Sequence, residues 1–243
     1  MAWLTVAIPT MRRFNFLQEQ IPIALARPEV AEVLVCDETG EDAAALALSP
    51  WAQNPKLRVV VNEKRLGIYQ NKRRCIELAV TPMVAVLDSD NAFNEEWFDT
   101  LAEAVKQCGY TTIYASADFM TVDSRSGAIH RPCAEWSDTW IKTPYEWNTL
   151  LTQPQSLHLT NDGNWVVPRE RALAALPSIV SSESLQAVDA LYMLRCFIVV
   201  GLPIWYVPGL TYLHRVHDGS AWLETEKESM RILNSRQWGI HIL

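Results

Sequence analysis

The sequence predicts an α/β protein with a mostly parallel central sheet flanked by helices, and a smaller subregion in its second half. Three observations lead there. Short continuous apolar runs recur at residues 3–8 (WLTVAI), 30–36 (VAEVLVC), 57–61 (LRVVV) and 83–87 (MVAVL). Such runs suit strands buried on both faces. Segments with helical spacing separate them, which is the signature of βαβ units. Each run also ends in polar residues: Thr10, Asp37, Asn62, and the pair Asp88 and Asp90. Open α/β sheets bind ligands at the carboxyl ends of their strands.

Taken in order, the first run stops at Pro9. Spaced apolar residues at 14–26, interrupted by Pro22, predict an irregular helix. The second run ends in the turn-rich cluster Asp37-Glu38-Thr39-Gly40. A polar loop at 62–67 leads into a helix at 68–79, with Ile68, Cys75, Ile76 and Ala79 on one side. Pro82 marks a boundary before the fourth strand. After Trp97 a helix runs to Cys108, and residues 111–116 form a fifth strand. Residues 119–131 read as a hairpin turning at 123–127. The tryptophan-rich stretch 134–150 reads as a lid or acceptor segment, and 164–167 as a strand. A helix follows Pro168, then a polar loop at 181–183, a helix at 184–200 and a last strand at 204–207. Residues 214–220 read as a polar loop before a C-terminal helix. With no linker, residues 1–243 are expected to be one domain that changes character near residue 110.

Composition narrows the function. Hydrophobic residues make up 49% and charged residues 20% of 243, which argues against disorder. A net charge of −7 gives no general attraction to a polyanion, so duplex nucleic acid is a poor partner. The cysteines at 36, 75, 108, 133 and 196 form no CxxC pair and are odd in number. Zinc and a disulfide framework are not expected, and a reducing compartment fits. The N-terminal apolar run precedes its charges, the reverse of a secretory leader. The most apolar stretch, 196–207, is broken by Gly201 and Pro203 and is too short to span a bilayer. A cytoplasmic location is expected. The ten tryptophans serve packing, or stack on sugar rings or bases.

Leu87-Asp88-Ser89-Asp90 is the clearest constellation. If the chain stays extended past Leu87, Asp88 and Asp90 point together. Two carboxylates then hold a divalent cation beside a pyrophosphate, or one holds the cation and the other a sugar hydroxyl. A solvated turn is the plainer alternative. Asp37 either accepts the N–H of a base edge or caps a helix or turn. Gly67 precedes a helix bearing Lys72, Arg73 and Arg74, which meet a diphosphate or form a solvated face. The segment lacks the P-loop spacing. His214-Arg215-Val216-His217-Asp218 offers a further metal ligand. Asp189 sits among apolar neighbours and needs a partner, Arg195 or Arg169, or a function as general base.

These segments in this order resemble the family 2 glycosyltransferases of GT-A fold. TVAIPTMRR is similar to that family's first strand, and VLVCDETG to its second, with Asp37 on the first Asp of an Asp-Asp-Gly-Ser turn and Glu38 replacing the second. In NEKRLGIYQNKRRCIELA, Gly67 matches the family glycine, Lys72 falls at its Arg, and Arg73 replaces its Asn. VAVLDSDNAF matches the family's D-x-D strand without departure. Asp189, Arg195, Gly201 and Pro208 fall on the family's second-half pattern, which ends in a His-x-x-His loop; Val188 replaces its Glu.

The resemblance implies a nucleotide-sugar half (1–110) and an acceptor-side half (111–243) with the C-terminal helix. It implies a UDP- or GDP-sugar donor contacted by Pro9, Thr10, Arg12, Asp37, Asn62, Gly67, Lys72, Asp88, Ser89 and Asp90. Mn2+ or Mg2+ would be held by Asp90 and His214, with His217 the alternative. Asp189 would be the base of an inverting transfer to a glycan, lipid-linked or small-molecule acceptor. Trp136, Trp140, Trp147, Asp162, Asn164 and Trp165 are the candidate acceptor contacts. Two other classes compete. A sugar nucleotidyltransferase would carry a Gly-rich loop after the first strand, where IPTMRRFN has no glycine. A non-catalytic sugar-binding relative would suit the tryptophan content.

Overall fold

The computed structural model describes residues 2–153, 155–178, 180 and 185–234. The loop expected at 181–183 and the first residue of the helix expected at 184–200 lie outside them. The four early runs form β1 (Leu4–Thr10), β2 (Val30–Asp37), β3 (Leu57–Val61) and β4 (Met83–Val86). They pair in parallel in the order β3-β2-β1-β4. Helices α1 (Phe14–Ala26), α2 (Glu41–Leu46) and α3 (Ile68–Leu78) make the crossovers.

Pro9 does not stop β1. The strand continues to Thr10, with Pro9 opposite Cys36 of β2. On its other side β4 has already ended, with Val86 opposite Ala7. Ala7 accepts from Leu87 on that side and Thr10 accepts from Glu38 on the other. The donor that Pro9 lacks therefore faces the side where pairing has ceased, and no ladder bond is lost. Pairing between β1 and β4 ends there.

The second half contributes α4 (Glu95–Cys108), β5 (Ile113–Ala115), β6 (Met120–Asp123), β7 (Ile129–His130), β8 (Trp140–Ile141), α5 (Pro144–Leu151), α6 (Ser156–Thr160) and β9 (Trp165–Pro168). It continues with α7 (Arg169–Ala175), α8 (Asp189–Val199), β10 (Ile204–Tyr206), β11 (Leu213–Val216) and α9 (Ala221–Asn234). Strand β9 inserts antiparallel between β4 and β5. Strand β10 pairs parallel with β5 and antiparallel with β8, so the sheet reads β3-β2-β1-β4-β9-β5-β10-β8. The sheet is mixed, with its parallel pairs concentrated in the first half. The expected hairpin is β6-β7, and β11 joins it in a second, three-stranded sheet. Residues 214–216 are thus part of a strand where the sequence suggested a loop. Among the described residues no helix is long and apolar enough to cross a membrane.

Helix α4 is capped by Asn94, whose side chain accepts from the Trp97 N–H, and Glu95 and Glu96 suit its first turn. From α4 an aromatic column rises toward the strand ends. Phe93 stacks on Trp97 at 4.0 Å, Tyr212 meets Phe93 edge-on at 5.7 Å, and Phe119 stacks on Tyr212 at 5.3 Å. All four rings are buried. Offset and edge-on pairs of this kind add to the stabilisation from area alone.

Candidate active site

A cleft of about 1840 Å³ opens at the carboxyl ends of β1 and β4, where their pairing ends. Ligand pockets for one small molecule usually hold roughly 300–1,000 Å³, so this one has room for two reactants. Of the residues singled out in the sequence, Pro9, Thr10, Arg12, Gly67, Lys72, Asp88, Ser89, Asp90, Asp162, Asn164, Asp189, His214 and His217 line it.

The chain does not stay extended through the two aspartates. Past Leu87 it turns, and the Asn91 N–H bonds the Asp88 carbonyl at 3.0 Å. Asp88 and Asp90 consequently meet different partners. Asp88 Oδ1 lies 2.9 Å from Lys72 Nζ, and the same ammonium lies 3.1 Å from Asp189 Oδ2. Lys72 is thus not a solvated basic group but is 3% exposed, turned inward from α3. Burial alone would lower its ammonium, yet Asp189 and Asp88 outweigh that and hold it above its ordinary value. Asp189 starts α8 rather than lying inside a helix. Burial pushes its carboxyl up, and Lys72 opposes the shift. The partner of Asp189 is Lys72 and not Arg169, whose guanidinium donates to the Glu77 carbonyl.

Asp90 belongs to a second cluster. Its Oδ2 takes a short ion pair from Arg13 Nη1 and lies 3.1 Å from His217 Nε2. Arg13 Nη1 is also 3.3 Å from His217 Nε2, and Nη2 donates to the Gly219 carbonyl at 2.6 Å. The Gly219 N–H donates to His217 Nδ1 at 3.2 Å, which leaves the proton of the neutral ring on Nε2. Burial and Arg13 lower the imidazolium of His217.

An octahedral ion with bonds of about 2.1 Å sets neighbouring ligand atoms about 3.0 Å apart. The 3.1 Å between Asp90 Oδ2 and His217 Nε2 fits that spacing. Among the described residues no three His, Cys, Asp or Glu side chains form a metal cluster. Water and substrate oxygens would complete the shell, as Mg2+ commonly has it. His214, the other candidate, does not touch Asp90 in the hydrogen-bond geometry. It stands on β11 against Phe119 at 5.8 Å, with burial pushing its pKa down to about 4. Its buried Nδ1 has no hydrogen-bond partner among the described residues.

Asp162 forms the far wall. Its Oδ1 accepts from the Tyr212 hydroxyl at 2.6 Å and from Asn164 Nδ2 at 2.9 Å. The aromatic column thus ends on this carboxylate. Burial pushes its pKa up to about 7, against the lowering effect of those bonds. Asn164 Oδ1 in turn accepts the Asp88 N–H at 2.9 Å. Gly163 packs directly on the Lys72–Asp88 pair. A Cβ there would fall 2.5 Å from Asp88 Oδ2 and closer still to Lys72 Nζ.

Several expected contacts are elsewhere. Asp37 is fully buried and does not line the cleft. Its Oδ1 accepts the Thr39 N–H at 3.0 Å and its Oδ2 the Ala43 N–H at 2.9 Å, which orders the start of α2. Asn62 is buried against Asn71, to which it donates at 2.9 Å. Trp136, Trp140 and Trp165 lie off the cleft as well. Trp165 is on β9 in the core, and Trp140 stacks on Trp205 at 5.1 Å near the sheet edge. Trp147 is fully buried on α5. No residue of 134–150 lines the cleft; the stretch holds β8 and all of α5 but Leu151, and its three tryptophans pack on the core rather than forming a lid or acceptor segment. Arg13 and Glu38 are among the cleft residues that were not singled out beforehand. Arg13 follows the turn after β1 and carried no pattern beyond its charge. Glu38, beside Asp37, lines the cleft and accepts the Leu66 N–H at 2.6 Å. A substitution in the family's second acidic position was its only signal.

The family model described as Glycosyl transferase family 2 matches residues 5–170. No curated protein matches the sequence. Among solved structures, TarS 1-349 of S. aureus in complex with UDP-GlcNAc is similar at TM-score 0.71 and 12% identity, over 96% of this chain and 64% of that one. The same protein in complex with UDP gives 0.67 and 16%, again over 96% and 64%. Full TarS of S. aureus gives 0.65 and 15%, over 97% of this chain and 40% of that one. The chain thus spans about two thirds of the TarS 1-349 structures and less of the longer one, and the likeness is one of fold.

Proposed function

The chain belongs to glycosyl transferase family 2, and on that footing we propose that it transfers a sugar from a nucleotide-sugar to an acceptor hydroxyl, with inversion, in a metal-dependent reaction. The observation that carries this reading is the convergence of Lys72, Asp88, Asp90 and Asp189 on one cleft at the carboxyl ends of β1 and β4. A uridine diphosphate donor is the reading supported by the fold's likeness to the UDP and UDP-GlcNAc complexes. The donor occupies the side formed by residues 1–110, and the acceptor enters between α6, α8 and the second sheet.

The roles follow from the chemistry of each group. Asp189 accepts the proton of the attacking hydroxyl. Lys72 opposes the upward push of burial on that carboxyl and fixes it relative to Asp88, which contacts the ribose or the sugar. Glu38 is better placed than Asp37 to meet the base, since both Asp37 oxygens are bonded to backbone. Asp162 meets the acceptor. A divalent ion, Mn2+ or Mg2+, would be held by Asp90 with His217, His214 being the alternative, and would neutralise the diphosphate leaving group. The acceptor oxygen bonds to the anomeric carbon as the bond to the diphosphate breaks.

Thermal unfolding with a panel of nucleotide-sugars and Mn2+ tests the proposal, because a ligand selective for the folded state raises the melting temperature. A UDP-sugar is expected to stabilise and to be hydrolysed slowly without an acceptor. Stabilisation by a nucleoside triphosphate with pyrophosphate release would point instead to a nucleotidyltransferase. Binding without turnover of any donor would point to a non-catalytic relative.

A further inference from the structure

We infer that Arg13 is the resident cation of the Asp90–His217 seat before substrate binds, and that a divalent ion enters by displacing its guanidinium. The inference rests on the metal part of the proposed function only. Two observations carry it.

First, two potential metal-ligand atoms converge on one Arg13 nitrogen. Asp90 Oδ2 and His217 Nε2, themselves 3.1 Å apart, both lie within hydrogen-bond distance of Nη1. A cation bridging them would have to occupy that place. The Asp90 side chain is 13% exposed and that of Arg13 18%. A carboxylate so enclosed needs a counter-charge, and the guanidinium supplies it. Second, only the side chain of Arg13 is committed to the seat. Its backbone N–H is anchored separately, on Asp42 Oδ1 at 2.8 Å, and Asp42 is fixed in turn by the Thr10 hydroxyl at 2.6 Å. The guanidinium can swing out while the turn that carries it stays in place.

Displacement has a visible consequence in the following loop. Gly219 is tied twice, through its carbonyl to Arg13 Nη2 and through its N–H to His217 Nδ1. Were His217 to offer Nε2 to a metal ion, the neutral ring would carry its proton on Nδ1 instead, and Nδ1 could no longer accept from the Gly219 N–H. Gly219 would lose both ties in that exchange. Arg13 therefore competes with the ion and couples its arrival to release of the loop before α9.

Mn2+ binding in the absence of any nucleotide-sugar decides the matter, read from the electron paramagnetic resonance of free Mn2+. Arg13→Met is expected to bind Mn2+ about tenfold or more tightly than the unaltered protein, since it removes the competitor. Arg13→Lys, which keeps a cation, is expected to stay close to the unaltered protein. Thermal unfolding of both variants checks that they fold. Hydrogen exchange at the Gly219 amide is expected to quicken when Mn2+ is added to the unaltered protein. Unchanged or weaker Mn2+ affinity in folded Arg13→Met overturns the inference, and so does an absence of Mn2+ binding in all three proteins. Sugar transfer by the unaltered protein would leave the proposed function standing in those cases. Tighter Mn2+ binding by Arg13→Met with no turnover of any donor would support the inference and defeat the functional reading.

Discussion

Replacing Lys72 by Met leaves Asp88 and Asp189 facing each other across an apolar side chain of similar length. Each carboxylate now lies about 3 Å from the ammonium, at 2.9 and 3.1 Å. At an effective dielectric of about 20, a pair at that distance gains roughly 5 to 6 kcal/mol before desolvation. Removing one member of a buried pair typically costs about 3 to 5 kcal/mol net, a large share of the roughly 5 to 15 kcal/mol that holds a domain folded. The loss depends on pH. The Asp189 carboxyl is already pushed up by burial, with Lys72 opposing; without Lys72 it rises further. A carboxyl whose folded value lies above its unfolded one contributes stability below the unfolded value, and that contribution is lost as pH rises through the folded one. Lys72→Met should therefore be least impaired near pH 5 and progressively weaker toward pH 8. Urea unfolding at those two pH values measures it, with kcat against pH as a second reading. Equal destabilisation at both would show that Asp189 does not depend on Lys72 for its charge.

Other outcomes follow from the same site. Gly163→Ala should abolish most turnover and also lower the melting temperature, because its Cβ would strike the buried Lys72–Asp88 pair; unaltered kcat would contradict the packing. Asp162, at about 7, should make the protein lose stability as pH rises from 6 to 8, and Asp162→Asn should flatten that slope in thermal melts. Glu38→Gln should raise the KM for donor with little change in melting temperature, whereas Asp37→Asn should destabilise by about 1 kcal/mol or more through its lost bonds to Thr39 and Ala43. Trp140→Ala, at the sheet edge, should leave donor affinity unchanged in the same titrations.

The first half of the fold was legible because its strands are continuous apolar runs bounded by polar turns. Periodicity located β1, β2, β3, β4 and α3 to within a few residues. The aspartates at the end of the fourth strand stood out for the same reason. What could not be read was tertiary. Lys72 sits on a helix whose composition suggests a solvated basic face, and only the packing of α3 against the sheet turns it inward. Asp37 and Glu38 are adjacent acids, and nothing local says that one will serve α2 while the other faces the cleft. Trp165 and Trp147 look alike available in sequence, yet burial removes both from any ligand. Residues 164–167 look like one more strand, and the direction and place of β9 in the sheet depend on contacts far away.

That placement bears on how the chain is made. As residues emerge in order, β1 to β4 can assemble at once from the first 86. Strand β5 follows soon after but cannot dock, because its neighbour on that side is β9, some fifty residues further on. Until residues 165–168 have left the ribosome, β4 (MVAV) is a bare apolar edge with unpaired backbone groups. Such an edge invites pairing with other chains. The nascent protein therefore passes through a window of vulnerability that closes with one late strand, and slow translation across residues 87–165 would lengthen it.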